Sequence, residues 1–253
     1  MKIAVVSGAS SGMGRELVKI IDKNCPMLDE IWVIARRKDR LLNLQFHVRK
    51  PLRIFEMDLA KRENIYELKN TMDSKKPHIY IAAASAGFGK YGENIDLKME
   101  DALGMADVNV RALTGLVQMS LPYMVCGGRI LMLASSAAFL PQPGFGIYAA
   151  TKAYVLSYAR SLRQELKKRD IWVTAVCPGP VKTEFFDHCG SGRALSAMKL
   201  FFMADPKKVV CHAWRDSMRK KAVSVYGLSM KSVRIAAKII PHALILKGMG
   251  RIL

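Results

Sequence analysis

The first fourteen residues narrow the fold more than any later stretch. Ile3–Val6 is a short apolar run with the composition of a strand buried on both faces. It leads into Ser7-Gly8-Ala9-Ser10-Ser11-Gly12-Met13-Gly14 and then into Arg-Glu-Leu-Val-Lys-Ile-Ile-Asp-Lys-Asn, which has helical periodicity. A strand, a glycine-rich turn and a helix start form the frame that a dinucleotide phosphate site requires. Glycines let the backbone approach a pyrophosphate, and a helix N-terminus offers unpaired N–H groups and the positive end of its dipole. The spacing is G-x-x-x-G-x-G. The candidate phosphate cradle is Gly8, Ser10, Ser11, Gly12, Met13 and Gly14.

Strands and helices alternate from there. Glu30–Ala35, Leu52–Met57, a run beginning at His78, Arg129–Ala134 and Ile171–Val176 read as strands, with helical patterns between them. That alternation predicts an α/β fold, a doubly wound parallel sheet of Rossmann type in a single domain. Ligands on such sheets sit beyond the carboxyl ends of the strands. The second strand ends in Arg36, Arg37 and Lys38, where a NAD-preferring site would place an acid on the ribose 2′-hydroxyl. A guanidinium matches the 2′-phosphate of NADP by charge and fork geometry, so Arg36, with Arg37 beside it, points to NADP(H) over NAD(H). The bland reading is a solvated charge run that opens the next helix. Asp58 and Leu59, after the third strand, are placed to meet the adenine. The small residues Ala82–Gly87, among them Ala84, Ala86 and Gly87, would let backbone pass close to the cofactor.

Composition removes several function classes. The five cysteines (Cys25, Cys126, Cys177, Cys189, Cys211) form no C-x-x-C pair, which reads as reduced thiols in a cytoplasmic protein, with no metal site. No apolar run reaches the roughly 18 residues of a membrane span, and no secretory leader is expected. The net charge of +19 is concentrated late: from Asp187 onward there are 13 Lys or Arg against 3 Asp and no Glu. Such an excess attracts anionic partners or keeps a protein soluble. With no aromatic-rich RNA motif or helix-turn-helix in view, no nucleic acid is expected.

Tyr148 and Lys152 lie four apart in a run of helical spacing, which stacks them on one face. A nearby ammonium favours phenolate and would lower the tyrosine pKa from about 10. A tyrosine tuned that way can give a proton to a carbonyl oxygen or take one from an alcohol. Ser135, from the end of the preceding apolar strand, can hydrogen-bond the same oxygen. In the helical region from about Met99 to Met124, Asn109 is either bonded to its own backbone neighbours or holds a water that relays protons to Lys152.

Together these residues make the chain resemble the short-chain dehydrogenase/reductase family over roughly Lys2–Glu184. The matching pieces are G-x-x-x-G-x-G, Asp58, Asn109, Ser135, Y-x-x-x-K at 148–152 and P-G-P-V-K-T from Pro178. The resemblance implies Tyr148 as general acid/base and Lys152 as the group that lowers its pKa and binds the nicotinamide ribose. It implies Ser135 as carbonyl positioner, Asn109 as holder of the relay water, and Pro178, Gly179, Val181 and Thr183 as contacts of the nicotinamide end. It also implies a homodimer or homotetramer. Two points depart from or test the pattern. The family's N-N-A-G is Ala84-Ser85-Ala86-Gly87 here, which removes two asparagines that tie this strand to its neighbours. Ser135 precedes Tyr148 by the family's usual 13 positions, and Ser136 would need a shorter loop.

The sequence therefore predicts an NADP-dependent oxidoreductase that moves hydride between nicotinamide and a ketone or secondary alcohol. The alternative is a non-catalytic NADP(H)-sensing protein of the same fold. Phe185, Phe186 and the run Leu200–Met203 read either as an apolar lid, favouring a hydrophobic carbonyl substrate, or as core. Asp205–Lys221 reads as a helix. The basic amphipathic region after it, interrupted by Pro241, can lie on an anionic membrane, cap its own sheet or pack on another subunit.

Overall fold

The computed structural model describes residues 1–189 and 203–249. Leu200, Phe201 and Phe202 of the expected lid lie outside the described residues. The strands are β1 (Lys2–Ser7), β2 (Glu30–Ala35), β3 (Leu52–Glu56), β4 (His78–Ala84), β5 (Met124–Leu133), β6 (Trp172–Val176) and β7 (Val223–Ser224). They form one sheet in the order β3-β2-β1-β4-β5-β6-β7, and every pairing is parallel. Val5 faces Trp32 on one side and Ala82 on the other. The order reverses between β1 and β4, so a crevice opens beyond their carboxyl ends, as expected for a doubly wound sheet.

The helices are α1 (Gly12–Asn24), α2 (Lys38–Gln45), α3 (Arg62–Lys75), α4 (Met99–Ala106), α5 (Leu113–Ser120), α6 (Gly146–Leu166), α7 (Pro206–Met218), α8 (Leu228–Ile239) and α9 (His242–Met249). They cover both faces. Leu17, Val18 and Ile21 of α1 pack with Val210 and Trp214 of α7 against one face. Leu68, Leu116, Val155 and Leu162 pack against the other. Burial on both sides is why the strands read as continuous apolar runs. Ile3, Trp32 and Ile79 are fully buried, each contributing about 1.5–3 kcal/mol of transfer free energy. Among the described residues no helix is long and apolar enough to cross a membrane.

Two regions differ from the sequence expectation. The stretch Met99–Met124 is not one helix. A π-helical turn, Asp107–Ala112, separates α4 from α5, a 3-10 turn at Leu121–Tyr123 contains Pro122, and β5 already begins at Met124. Proline has no N–H to continue a helical ladder, and a π turn inserts one extra residue while keeping the apolar period. The last quarter also adds to the core. Asp205 caps α7 by accepting from the Lys207 N–H at 2.7 Å, α7 packs on α1 and β6, and β7 extends the sheet. A two-residue strand leaves no alternation to detect.

Candidate active site

Beyond β1 the chain turns at Gly8 (φ +67°) and again at Gly12 (φ +52°). A Cβ on Gly8 would sit 2.8 Å from the backbone of Ala86, and one on Gly14 would sit 2.2 Å from the Gly8 carbonyl oxygen. The turn is therefore closed on itself and against the end of β4. The missing asparagine ties are supplied from elsewhere. Ser7, buried at the end of β1, accepts from the Ser85 N–H at 3.0 Å and the Ala86 N–H at 3.2 Å. Ser11, the N-cap of α1, makes no side-chain cap bond, so the first N–H groups of that helix are left for an anion. A cradle that only glycine fills, over an uncapped helix start, fits a pyrophosphate.

Arg37 reaches into this cradle. Its Nη2 donates to Ser10 Oγ at 3.2 Å and Ser11 Oγ at 2.9 Å, and its Nη1 pairs with Glu184 at 2.7 Å. Arg40 pairs with the other Glu184 oxygen. The hydrogen bond from Arg37, joined by that from Arg40, holds the Glu184 carboxyl below the usual carboxylate range. Arg36 is exposed on the rim, makes no ion pair among the described residues, and also faces the cleft. Asp58 accepts from the Ala60 N–H at 3.0 Å, and Leu59 is buried beside it.

Tyr148 and Lys152 are both buried on α6. The Tyr148 hydroxyl hydrogen-bonds with Ser135, whose Oγ also accepts from the Ala137 N–H at 3.1 Å. Ser136 instead gives its N–H to the Pro178 carbonyl at 2.8 Å. Lys152 Nζ donates to the Leu133 carbonyl at 2.8 Å and lies 5.6 Å from the centroid of the Tyr148 ring. The electrostatics run opposite to the expected tuning. Burial pushes the Tyr148 pKa up, against the opposing pull of the Ser135 hydrogen bond, and burial pushes Lys152 down to about 8. The dry pocket penalises both charged forms, and the Tyr148 side chain is held as a neutral phenol.

Asn109 is fully buried in the π turn. Its Oδ1 accepts from the Phe88 N–H at 3.0 Å, and its Nδ2 donates to the Phe88 carbonyl at 2.9 Å and to Thr151 Oγ1 at 3.0 Å. The side chain clamps the loop after β4, so its polar atoms are engaged by protein groups. A Cβ on Gly87 would meet Asn109 Oδ1 at 2.8 Å and Lys152 Nζ at 3.2 Å, so these three sites are packed together.

A cleft of about 560 Å³ runs from the glycine turn to an aromatic chamber. Phe145 stacks on Tyr148 at 4.3 Å between ring centroids, and Phe185 tilts against it at 5.4 Å. Tyr91 and Phe186 complete the apolar wall, with Gln142 and His188 as polar groups at its edge. Of the catalytic and cofactor-binding candidates named from the sequence, all but Ala84 and Asn109 line this cleft. Ala84 is buried in β4, and Asn109 lies behind Phe88. Thr183 lies over Gly12, 3.2 Å from a Cβ built there, Val181 bridges to Ala204, and Gly179 packs on Met230. Sequence reasoning missed Ser7, Glu184, Tyr91 and Phe145.

The profile described as short chain dehydrogenase matches residues 2–193. An uncharacterized oxidoreductase of Staphylococcus epidermidis is 31% identical over 184 residues, covering 72% of this chain and 79% of that protein. A short-chain dehydrogenase from Sphingobium yanoikuyae, solved in complex with NADPH, superposes with a TM-score of 0.80 at 23% identity, over 96% of this chain and 98% of its own. A short chain dehydrogenase/reductase from Burkholderia phymatum in complex with NAD gives 0.79 at 19% identity, over 94% and 93%. The glycine cradle, the parallel sheet and the matched 192 residues lead to one conclusion: the chain belongs to the short-chain dehydrogenase/reductase family of oxidoreductases.

Proposed function

We propose that this chain is an NADP(H)-dependent reductase of apolar ketones, running in reverse on secondary alcohols. The observation that carries the reading is the buried Tyr148 side chain beside Ser135, at the boundary between a glycine cradle and an aromatic chamber. Gly8–Gly14 and the start of α1 would hold the pyrophosphate, Asp58 and Leu59 the adenosine, and Lys152 and Thr183 the nicotinamide end. Arg36 would hold the 2′-phosphate, with Arg37 beside it. The bound dinucleotide supplies the hydride. Tyr148 then gives its proton to the carbonyl oxygen while Ser135 holds that oxygen, and the Lys152 ammonium stabilises the phenolate left behind. Asn109 keeps the loop after β4, and so Gly87, against Lys152. The walls of Phe145, Phe185 and Tyr91 favour a flat or apolar substrate over a sugar. We place the enzyme in the cytoplasm as a homodimer or homotetramer.

The test is oxidation of NADPH and NADH with a panel of apolar ketones and aldehydes, on wild type and Arg36→Ala. Turnover with NADPH, lost preferentially over NADH in Arg36→Ala, is the expected result. Equal weakening for both cofactors overturns the 2′-phosphate role. Tight NADPH binding without turnover anywhere favours the sensing alternative.

A further inference from the structure

We propose that α8 and α9 form an interfacial element that seats the protein on a bilayer carrying anionic lipids. The inner face of α8 is occupied: Ala237 is buried, and Met230 packs on Gly179 at the wall of the cleft. Its outer face carries Leu228, Ile235 and Ile239, which are 81%, 59% and 75% exposed. The spacing i, i+7, i+11 puts them on one stripe. Leu244 of α9 is a further apolar side chain, 62% exposed. Single exposed apolar residues are ordinary on a protein surface, but three aligned on one helix face point to an interaction site.

The charges around the stripe select the partner. Lys231 and Lys238 lie along one side of it and are exposed, and Lys247 is exposed on α9. The sequence has no Asp or Glu after Asp216. An apolar stripe flanked by lysines, with no acid on the element, is the pattern of a helix lying in the headgroup plane. A symmetric contact with a second copy would bring Lys231 and Lys238 of both copies together with no carboxylate between them. Anionic headgroups supply the missing countercharge. Because α8 also packs on the Ser136–Phe139 turn, the seat places the cleft wall beside the bilayer. This inference goes beyond the reductase reading and does not depend on it.

The test is co-sedimentation of the full chain with vesicles of phosphatidylcholine alone and with about one-third phosphatidylglycerol, at low and high salt. Wild type should partition at least about tenfold more strongly into the anionic vesicles, and high salt should remove most of that preference. Ile235→Asn/Ile239→Asn and Lys231→Glu/Lys238→Glu should each lose about tenfold in partitioning while keeping wild-type NADPH binding. Equal partitioning into both vesicle types, or variants that partition like wild type, overturns the proposal. So does a shift of the apolar variant from dimer to monomer in sedimentation equilibrium with no change on vesicles, which would assign the stripe to a second copy. Vesicle binding is read without turnover, so the absence of reductase activity leaves this result interpretable.

Discussion

Replacing Ser7 with alanine removes one oxygen and strands two backbone donors. Ser7 is 2% exposed, and its hydroxyl is the acceptor for the N–H groups of both Ser85 and Ala86. A buried donor left without a partner costs about 1–3 kcal/mol. Both residues are only half-buried and line the cleft, where water can reach them, so the lower half of that range applies to each. The expected loss is about 2–4 kcal/mol for the pair. With a urea slope of about 3 kcal/mol/M for a chain of this size, the unfolding midpoint should fall by roughly 1 M. Trp32, Trp172 and Trp214 give the fluorescence signal for that transition. Hydrogen exchange at the Ser85 and Ala86 amides reads the two bonds directly, and both should exchange much faster in the variant. The loop after β4 also packs on Gly8, so NADPH affinity should fall several-fold. An unchanged midpoint together with unchanged protection of the two amides would refute the view that Ser7 does the work of the missing asparagines.

Two further outcomes follow from the charges around the cleft. Glu184→Gln frees Arg37 and Arg40 from a carboxylate that competes with a phosphate, so the preference for NADPH over NADH should rise about three- to tenfold, and an equal change for both cofactors argues against that competition. Lys152 has a folded pKa of about 8 against 10.5 in the unfolded chain, so between those values the unfolded chain holds the extra proton. Wild type should gain about 3 kcal/mol over Lys152→Met as pH climbs through that window, whereas a pH-independent gap between the two contradicts the buried-ammonium assignment.

The features legible in the sequence are those fixed by local chemistry. Gly8, Gly12 and Gly14 follow an apolar strand because the turn needs positive φ and backbone contact, and both demands act within a few residues. Tyr148 and Lys152 share a face because of helix period alone. Features that depend on pairing across the chain were not legible. Glu184 meets Arg37 across 147 positions, and Ser7 meets Ser85 across 78, with no spacing rule to connect them. Phe145 stacks on Tyr148 because it ends a loop whose path no periodicity encodes. Adjacency to Lys152 is visible in the sequence and argues for a lowered Tyr148 pKa, whereas the desolvation that raises it is a property of the packed chamber.

The reductase proposal stands on Tyr148 as the proton donor, touching the cofactor but contributing little to its affinity. The most direct measurement is the kcat of Tyr148→Phe on the best ketone, set beside its NADPH dissociation constant. Expected is a fall in kcat of about 10²–10⁴-fold with NADPH affinity within about twofold of wild type. Near-wild-type turnover in the variant, or loss of NADPH binding in step with activity, would contradict it.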